Sequence, residues 1–344
     1  MTYKLPAEWH EQSAIQLTWP HAKTDWQPWL AEIESTYVDI VNAITQFQPV
    51  VIACHDISVE QAVNDRLSSL GASKMVKTFI APCNDTWARD HGPITLVNEA
   101  GETKVLDFTF NAWGAKYDAN LDDQINLHLI QQPFVNLQQY QNVDFVLEGG
   151  SIESDGRGSL LTTEICLLNK NRNDQLSKQQ IEDALKEVFH IEKVIWLSQG
   201  HLPGDDTDAH IDTLARFTPK GITYVTCDDP TADAYSALKT MEQELKDATD
   251  AQGKSYTLFP LPSPKPIYND EGEPLPATYA NFLIINGAVL VPTYGDNQDQ
   301  VAMDVIQSAF PEHKIIAINC RTVIEQYGSL HCLTMQLPKG LIHV

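Results

Sequence analysis

The segment GDDTDAHID at positions 204–212 concentrates charge around one histidine. Asp205, Asp206, Asp208 and Asp212 flank His210 within nine residues. Carboxylates this close repel one another, so their packing is unfavourable unless a cation binds among them. The segment therefore indicates a site for a metal ion or a basic substrate, unless it is only a solvated acidic loop.

Four further polar motifs are spread along the chain. They are NDTWARDHGP with Asp90, EGGS with Glu148, ATYAN with Asn281, and GSLHC with Cys332. A cysteine thiolate is a strong nucleophile, and a histidine can transfer protons near neutral pH. Paired carboxylates match the N–H donors of a guanidinium, whereas they would repel the oxyanion of an acyl transfer. This residue set favours attack by cysteine on the carbon of a guanidinium, with histidine protonating the departing ammonia.

Each motif stands between an apolar strand and a strand–turn–strand segment. Helical spacing occurs at about 30–47, 58–70, 120–132, 175–189, 232–250 and 298–310, with Ser177 as a helix cap. Buried strands are predicted at VVIAC, VKTFIA, VDFVL, KVIWL, YTLFP and KIIAI. The order strand, motif, hairpin, helix, strand recurs along the chain, and repeats of this kind are typical of propellers.

The repeat predicts an α/β propeller formed by one domain over residues 1–344. The N-terminal AIQLTWP would pair with the C-terminal LTMQLP and close the ring. Asp90, Glu148, His210, Asp212, Asn281 and Cys332 would then meet at one end of a central channel. Residues 261–278 are rich in proline and predict a long surface loop, a candidate lid over the site.

Composition narrows the classes of partner. The chain has 46 acidic and 23 basic residues, a net charge of -23, which argues against nucleic acid and favours a cationic small molecule. No apolar run is long enough for a membrane span and no signal pattern opens the chain, so we expect a cytoplasmic protein, with a homodimer as the candidate assembly. The six cysteines form no C-x-x-C pair and are expected to be free thiols.

The ordered motifs resemble the agmatine deiminase / Porphyromonas-type peptidylarginine deiminase family, from LPAEWHEQ at residue 5 to the C-terminus. The resemblance implies a five-bladed α/β propeller, the pentein fold, with pseudo-fivefold ββαβ repeats. It implies hydrolysis of agmatine to N-carbamoylputrescine and ammonia through a covalent cysteine adduct, without metal or cofactor. Cys332 would be the nucleophile, His210 the acid and base, and Asp90 and Asp212 the guanidinium ligands. Glu148 would support the site, and Glu148 and Asp206 are the candidate substrate-binding residues that the resemblance implies.

One motif departs from the family pattern. This chain has YGSLHC where agmatine deiminases usually have GGNIHC, so Ser329 replaces an asparagine beside the nucleophile. The departure leaves the chemistry in place and leaves the choice of substrate open.

Several alternatives stay open at this point. Free or peptidyl arginine is a second substrate class, for which Arg89 and Arg321 are the basic candidates in the motifs. A metal-dependent hydrolase would use His201, Asp206, His210 and Asp212. A propeller that only binds its ligand is a third class.

Individual side chains have ordinary structural interpretations too. Trp87, Trp113 and Asn281 are candidate substrate contacts, although both tryptophans could simply be core residues. Asp205 and Asp208 are expected to be loop charges or caps. His331 is expected to point away from the site, because neighbouring strand residues face opposite sides.

Overall fold

The computed structural model describes residues 2–68 and 75–343 of the chain. Its strands are short and mostly buried. They are β1 Gln12–Thr18, β2 Val50–Cys54, β3 Val76–Ile80, β4 Ile94–Val97, β5 Thr103–Thr109, β6 Gln139–Val146, β7 Ile152–Ser154, β8 Ser159–Thr163, β9 Lys193–Leu197, β10 Ala215–Thr218, β11 Gly221–Val225, β12 Leu258–Leu261, β13 Ile267–Tyr268, β14 Pro274–Leu275, β15 Leu283–Ile285, β16 Ala288–Thr293, β17 Lys314–Asn319 and β18 Thr334–Pro338.

Helices connect these strands. The α-helices are α1 Leu30–Ile44, α2 Ile57–Ser68, α3 Ala88–His91, α4 Ala112–Ala115, α5 Ile125–Ile130, α6 Glu164–Leu167, α7 Lys178–Phe189, α8 Tyr235–Asp247 and α9 Asp299–Ala309. Short 3₁₀ helices occur at Gln27–Trp29, Asp122–Gln124, Gly149–Ser151, Ile211–Thr213, Val323–Gln326 and His331–Leu333.

Five sheets share one construction. Their strand orders are β18-β1-β2-β3, β4-β5-β6, β7-β8-β9, β10-β11-β12 and β15-β16-β17. In each, an antiparallel pair is followed by a parallel strand that returns through a helix, as in the pairing of β10 with β11 and of β11 with β12. The predicted ββαβ order is therefore present in the described residues.

The two ends of the chain meet in the first sheet, as predicted. Strand β1 pairs antiparallel with β18, so that Ile15 lies opposite Gln336, and parallel with β2, so that Ile15 also lies opposite Val50. All five residues of β2 are buried between its neighbours. A strand covered on both faces needs a continuous apolar run, and VVIAC supplies one.

The predicted helices and strands agree closely with the observed ones. The helix predicted at 120–132 is shorter and begins as a 3₁₀ turn over Asp122–Gln124, because the apolar spacing does not show where the backbone tightens. The last two residues of the helix predicted at 58–70 lie outside the described residues. Ser177 caps α7 in a capping box with Gln180, so the predicted cap is confirmed.

Residues 261–278 are more ordered than a structureless loop. Strands β13 and β14 form a small hairpin in this segment. Glu273, within the hairpin, accepts a hydrogen bond from the Tyr327 hydroxyl at 3.2 Å. A Cβ on Gly204 would lie 2.2 Å from the carbonyl oxygen of Pro274, so the acidic segment packs directly against the hairpin.

The five polar motifs occupy equivalent places in the five sheets. Each lies just before the first strand of a sheet: α3 before β4, Gly149–Ser151 before β7, Ile211–Thr213 before β10, residues 278–281 before β15, and His331–Leu333 before β18. Helix α3 contacts both Gly149–Ser151 and His331–Leu333, and Gly149–Ser151 also contacts Ile211–Thr213. The fold thus brings together segments that are far apart in sequence.

Apolar packing fixes the sheets that carry these motifs. Buried side chains of α1 and strands β1 and β2 join those of β10, β11, β15 and β16 in one large cluster that includes Cys332. Burial of each large apolar side chain stabilises the fold by about 1.5–3 kcal/mol. Among the described helices, none has the length and apolar character that a membrane crossing requires.

Candidate active site

A narrow acidic pocket opens where the polar motifs meet. Its empty volume, including the part open to solvent, is about 440 Å³. It is lined by Asp25, Asp85, Trp87, Asp90, Trp113, Tyr117, Asp206, Thr207, Gln326, Tyr327, Gly328 and Cys332. Four of these described residues are aspartates and none is basic, so the pocket attracts cations.

Cys332 lies at the floor of the pocket, within the 3₁₀ helix His331–Leu333. The Asn281 side-chain oxygen lies 3.4 Å from the sulfur and accepts the backbone N–H of Cys332 at 3.3 Å. The Asp212 Oδ2 atom lies 3.9 Å from the sulfur. Burial, with the charges of Asp212 and Asp90, raises the pKa of the Cys332 thiol well above its usual range, and the Asn281 contact opposes that shift in part.

His210 is fully buried beside two carboxylates. Its Nδ1 lies 3.6 Å from Asp90 Oδ1, and its Nε2 lies 4.0 Å from Glu148 Oε2. Neither ring nitrogen has a hydrogen-bond partner among the described residues. Burial alone would lower the pKa of His210, but Asp90, together with Cys166 and Glu148, raises it to about 10. The neighbouring carboxylates thus favour the protonated ring, which has protons available for transfer.

Asp90 and Asp212 are buried carboxylates held from behind. Asp90 accepts the Trp113 indole N–H at 3.0 Å and the Gly150 backbone N–H at 3.1 Å. Asp212 Oδ2 lies 2.7 Å from His331 Nδ1, while Asp212 Oδ1 has no partner among the described residues. Burial raises the pKa of Asp90 to about 6, with Asp212 and Glu148 adding to the effect. Burial also raises the pKa of Asp212, but the hydrogen bond from His331 brings it below its usual value.

Gly150 occupies the point where these side chains come together. A Cβ on this residue would lie 2.7 Å from His210 Nδ1, 2.8 Å from Asp90 Oδ1 and 3.2 Å from Asp212 Oδ2. Distances this short leave no room for a side chain. The glycine in EGGS is therefore required by the close approach of the imidazole and both carboxylates.

Glu148 lies behind His210 and does not line the pocket. We expected it among the substrate-binding residues, and its place in the structure is instead that of a buried partner of His210. Both of its carboxylate oxygens accept the Arg172 Nε–H at 3.0 Å. Arg172 also donates to Asp208 at 2.8 Å and to the Thr207 carbonyl at 3.1 Å. This buried arginine, which connects EGGS to the acidic segment, was not predicted, because nothing in the spacing of NKNRN marks it.

The acidic segment is shaped by its own side chains. Asp205 accepts hydrogen bonds from the Thr207 backbone and hydroxyl and from the Ala209 backbone. Asp208 and Ala209 both have φ near 64°, in the left-handed region. The resulting turn delivers His210 and Asp212 to the interior, and it confirms Asp205 as the predicted loop cap.

Asp206 and two aromatic residues form the wall of the pocket. The Tyr117 hydroxyl donates to Asp206 at 2.7 Å, and Lys116 Nζ lies 3.2 Å from both Asp206 and Asp208. Trp87 and Trp113 line the pocket and are also largely buried, and their contact with a substrate stays a prediction. Tyr117, Tyr327 and Asp25 also line it, although no motif in the sequence marked them.

The basic residues considered for binding a carboxylate lie elsewhere. Arg89 is buried beneath the site, where it donates to Gln336 at 2.5 Å and lies 3.6 Å from Glu8. Arg321 pairs with Glu325. A different cation, Lys116, contacts the pocket-lining Asp206 at 3.2 Å, and no motif in the sequence marked it.

His331 does not line the pocket, but the reason we gave for this was wrong. Residues 331–333 form a 3₁₀ helix and not a strand, so strand alternation does not apply. His331 lines a second cavity behind the site and contacts Asp212 from there.

The residues proposed for a metal do not form a metal-binding cluster. In residues 2–68 and 75–343, the groups close enough to share an ion are His21 with His55 and Cys83, Glu148 with Cys166 and His210, and Glu8 with Glu153 and His331. His201 and Asp206 belong to none of them, because His201 is exposed whereas His210 and Asp212 are buried.

A buried thiol and a carboxylate line the acidic pocket, and an imidazole and a second carboxylate pack beside them. This arrangement suits an enzyme that breaks C–N bonds in guanidines. Comparison with known proteins agrees. Residues 4–338 match the family model described as Porphyromonas-type peptidyl-arginine deiminase. The agmatine deiminase of Pseudomonas syringae pv. tomato is 33% identical, over 98% of this chain and 95% of the relative.

Solved structures agree as well. A cysteine-to-serine variant of the agmatine deiminase of C. jejuni, with substrate bound, is 42% identical, with a TM-score of 0.91 over 99% of this chain and 97% of that one. The "Putative Arginine Deiminase" of Porphyromonas gingivalis is 45% identical, with a TM-score of 0.92 over 99% and 100%. The protein therefore belongs to the agmatine deiminase / Porphyromonas-type peptidyl-arginine deiminase family and has the mixed α/β fold of the pentein superfamily.

Proposed function

We propose that this protein is an agmatine deiminase, which converts agmatine and water to N-carbamoylputrescine and ammonia on a route to putrescine. The observation that carries the proposal is the convergence of Cys332, His210, Asp90 and Asp212, of which Cys332 and Asp90 line a pocket rich in aspartates. The named relatives support the same activity.

Asp90 and Asp212 act as ligands of the guanidinium. A guanidinium presents its N–H donors in a planar fork that matches carboxylate oxygens. Asp90 is fixed by Trp113 and Gly150, and Asp212 keeps one oxygen free of protein partners among the described residues. The two carboxylates hold the guanidinium carbon over the Cys332 sulfur.

Cys332 and His210 carry the covalent step. When the guanidinium binds, its charge favours the thiolate and the Cys332 thiol releases its proton to solvent. The thiolate attacks the guanidinium carbon, and a C–S bond forms. One NH₂ group takes a proton from the His210 imidazolium. The C–N bond then breaks, ammonia departs, and a thiouronium remains bonded to the Cys332 sulfur. Water then attacks the same carbon and gives a proton to His210. The C–S bond breaks, the thiolate leaves, and the protonated urea loses its proton to give the product.

The wall of the pocket suits a second positive charge at the far end of the substrate. Asp206 and Tyr117 lie there, and Trp87 and Trp113 offer aromatic faces that attract cations. Agmatine carries an amine at this end, whereas arginine also carries a carboxylate. The lining aspartates therefore favour agmatine.

Arginine, free or in peptides, is the second candidate substrate. Lys116 lies 3.2 Å from Asp206 and is a cation that could receive a carboxylate at the pocket mouth. The likeness to the P. gingivalis protein points the same way.

The five sheets are proposed to be blades of a five-bladed α/β propeller with pseudo-fivefold symmetry. The repeated ββαβ order and the closure of β1 on β18 support this arrangement. A single catalytic domain over residues 1–344, a cytoplasmic location and a homodimer also stay predictions, as does chemistry without metal or cofactor.

A product assay tests the function. Purified protein is incubated with agmatine, arginine and a peptidyl-arginine, with and without excess chelator, and ammonia and carbamoyl products are measured. We expect turnover of agmatine in chelator. Activity that vanishes with chelator and returns with a divalent ion would establish the metal-dependent alternative, and absence of turnover on every guanidine would refute the proposed function.

Three variants assign the roles. Cys332→Ser should abolish turnover, and His210→Ala and Asp212→Asn should each lower kcat/KM by about 10²–10⁴-fold. Asp270→Asn is the matched control, because Asp270 is an exposed aspartate outside the pocket. If kcat/KM fell equally and only slightly in all four variants, these three side chains would have no catalytic role.

A further inference from the structure

His331 bridges two buried carboxylates from different parts of the chain. Its Nδ1 lies 2.7 Å from Asp212 Oδ2, the oxygen next to the Cys332 sulfur. Its Nε2 lies 3.0 Å and 3.2 Å from the two oxygens of Glu8, near the N-terminus. All three side chains are buried.

Both ring nitrogens must act as donors in this geometry. A neutral imidazole has one N–H and one acceptor nitrogen, whereas an ionised carboxylate can only accept. Burial raises the pKa of Glu8, but Arg216, His331 and Arg89 bring it well below its usual value, so Glu8 is ionised. A neutral His331 would point a lone pair at a carboxylate at hydrogen-bond distance, which is repulsive.

The groups that face His331 are the carboxylates of Asp212 and Glu8, and Arg216 and Arg89, which both contact Glu8. Arg216 also pairs with the buried Glu153. Burial, Arg216 and Arg89 bring the pKa of His331 below its usual value, although Glu8 and the hydrogen bond to Asp212 act in the opposite direction. The protonated ring is therefore inferred from its two short contacts with carboxylates.

The contact leaves Asp212 with one oxygen for a ligand. Its Oδ2 is taken by His331, and its buried Oδ1 has no partner among residues 2–68 and 75–343. The Asn281 side-chain oxygen accepts the His331 backbone N–H at 2.9 Å, so the same residue that contacts the Cys332 sulfur also fixes the histidine.

We propose that His331 is a positioning residue, an imidazolium held by Glu8 that fixes Asp212 Oδ2 from behind and keeps Oδ1 ionised and aimed at the substrate cation. The inference rests on the proposed function for the identity of that cation. His331 acts through Asp212 and not on the substrate, so its loss should weaken binding of the guanidinium more than it slows the covalent step.

The test compares His331→Asn with His331→Leu. The asparagine Nδ2 can take the place of the ring Nδ1 and donate to Asp212, although it cannot reach Glu8, whereas leucine donates to neither. We expect the leucine variant to raise KM for agmatine about 10–100-fold, the effect of losing a hydrogen bond to a charged group. The asparagine variant should stay within about 3-fold of wild type. Because Asp212 then loses its donor and its pKa rises, the acid fall of kcat/KM should begin at higher pH in the leucine variant than in the wild type or the asparagine variant.

Two further measurements separate failure of this proposal from failure of the proposed function. Nitrogen-15 NMR of the histidine rings in the wild-type protein should show both nitrogens of His331 protonated, assigned by the loss of that signal in His331→Asn. A singly protonated ring would overturn the proposal even if the enzyme were fully active, and failure of the wild type to hydrolyse guanidines would instead refute the proposed function. If His331→Leu does not fold, an asparagine variant that folds and yet shows a KM raised about 10-fold or more would also overturn the proposal.

Discussion

Cys332 and His210 hold their protons in the free protein for opposite reasons. Burial and nearby carboxylates disfavour the thiolate, while Asp90, Cys166 and Glu148 favour the imidazolium over the effect of burial. A guanidinium bound between Asp90 and Asp212 would bring a positive charge next to the sulfur. Because an adjacent cation favours the thiolate, the substrate itself helps to activate its nucleophile.

This predicts the labelling behaviour of the thiol. Iodoacetamide should modify Cys332 slowly, whereas a haloacetamidine, which carries a cation, should modify it much faster. Peptide mass spectrometry should place the adduct on Cys332 and not on Cys320 or Cys83, which are buried thiols that do not line the pocket.

Two variants complete the labelling experiment. Cys332→Ser should lose both labelling and turnover. Cys227→Ser, at the one described cysteine that is partly exposed, should keep both and serves as the control. Turnover by Cys332→Ser near the wild-type rate would rule out the covalent mechanism.

A second prediction concerns pH and Asp90. The pKa of this buried carboxyl is about 6, and the neutral form cannot attract a guanidinium. As pH falls through that value, kcat/KM for agmatine should therefore fall about ten-fold per pH unit. In kcat the same fall should appear at lower pH, because the bound cation stabilises the carboxylate. If kcat and kcat/KM fell at the same pH, protonation of Asp90 in the free protein would not be the cause. The same conclusion would follow if tryptophan fluorescence showed that the protein unfolds over that pH range.

The sequence was sufficient to predict which side chains meet, but not what holds them. Cys332, His210, Asp90 and Asp212 stand in motifs whose residue types match one chemistry. Their partners carry no comparable signal: Arg172 lies in an ordinary polar run, and Glu8 reaches His331 only because the chain ends meet. Such pairings depend on how the sheets are placed, which local spacing does not encode.

At the scale of elements, the short helices that carry the motifs were harder to predict than the long ones. Helix α7 has an apolar face and a capping serine, both visible in the sequence. The 3₁₀ helices Ile211–Thr213 and His331–Leu333 are single turns, and their conformation is set by tertiary contacts such as those of Asn281 with His331 and Cys332. A pattern of period two or 3.6 cannot reveal a turn of three residues.

The α7 cap supplies a prediction that separates stability from activity. Ser177 accepts the Gln180 backbone N–H, and the Gln180 side chain accepts the Ser177 backbone N–H at 2.9 Å. Ser177→Ala should lower the free energy of unfolding by about 1 kcal/mol, measured by urea denaturation, with kcat/KM unchanged. Ser308→Ala in α9 is a control, since that serine bonds only within its own helix. An equal loss in both variants would mean that the cap contributes nothing specific.

At the scale of the whole molecule, the excess of acidic residues produces a negative electrostatic potential, which is strengthened in the pocket by its own aspartates. The net charge is -23, and four aspartates line the pocket. Clefts lined by one sign of charge raise the local concentration of oppositely charged ligands. Buried groups such as the Arg172–Glu148 pair are neutral together, so the long-range attraction comes from unpaired surface carboxylates and those of the pocket.

Substrate preference and its salt dependence follow from that field. Agmatine is a dication and arginine carries one net positive charge, so kcat/KM should be higher for agmatine at low salt. Added salt should lower kcat/KM for agmatine more steeply, because charge interactions over more than about 8 Å are largely screened at 0.15 M ionic strength, while kcat should change little. Lys116→Gln removes the cation 3.2 Å from Asp206 and should raise the preference further by weakening only arginine. A higher kcat/KM for arginine that collapses in Lys116→Gln would instead make Lys116 the carboxylate receptor and the protein an arginine deiminase.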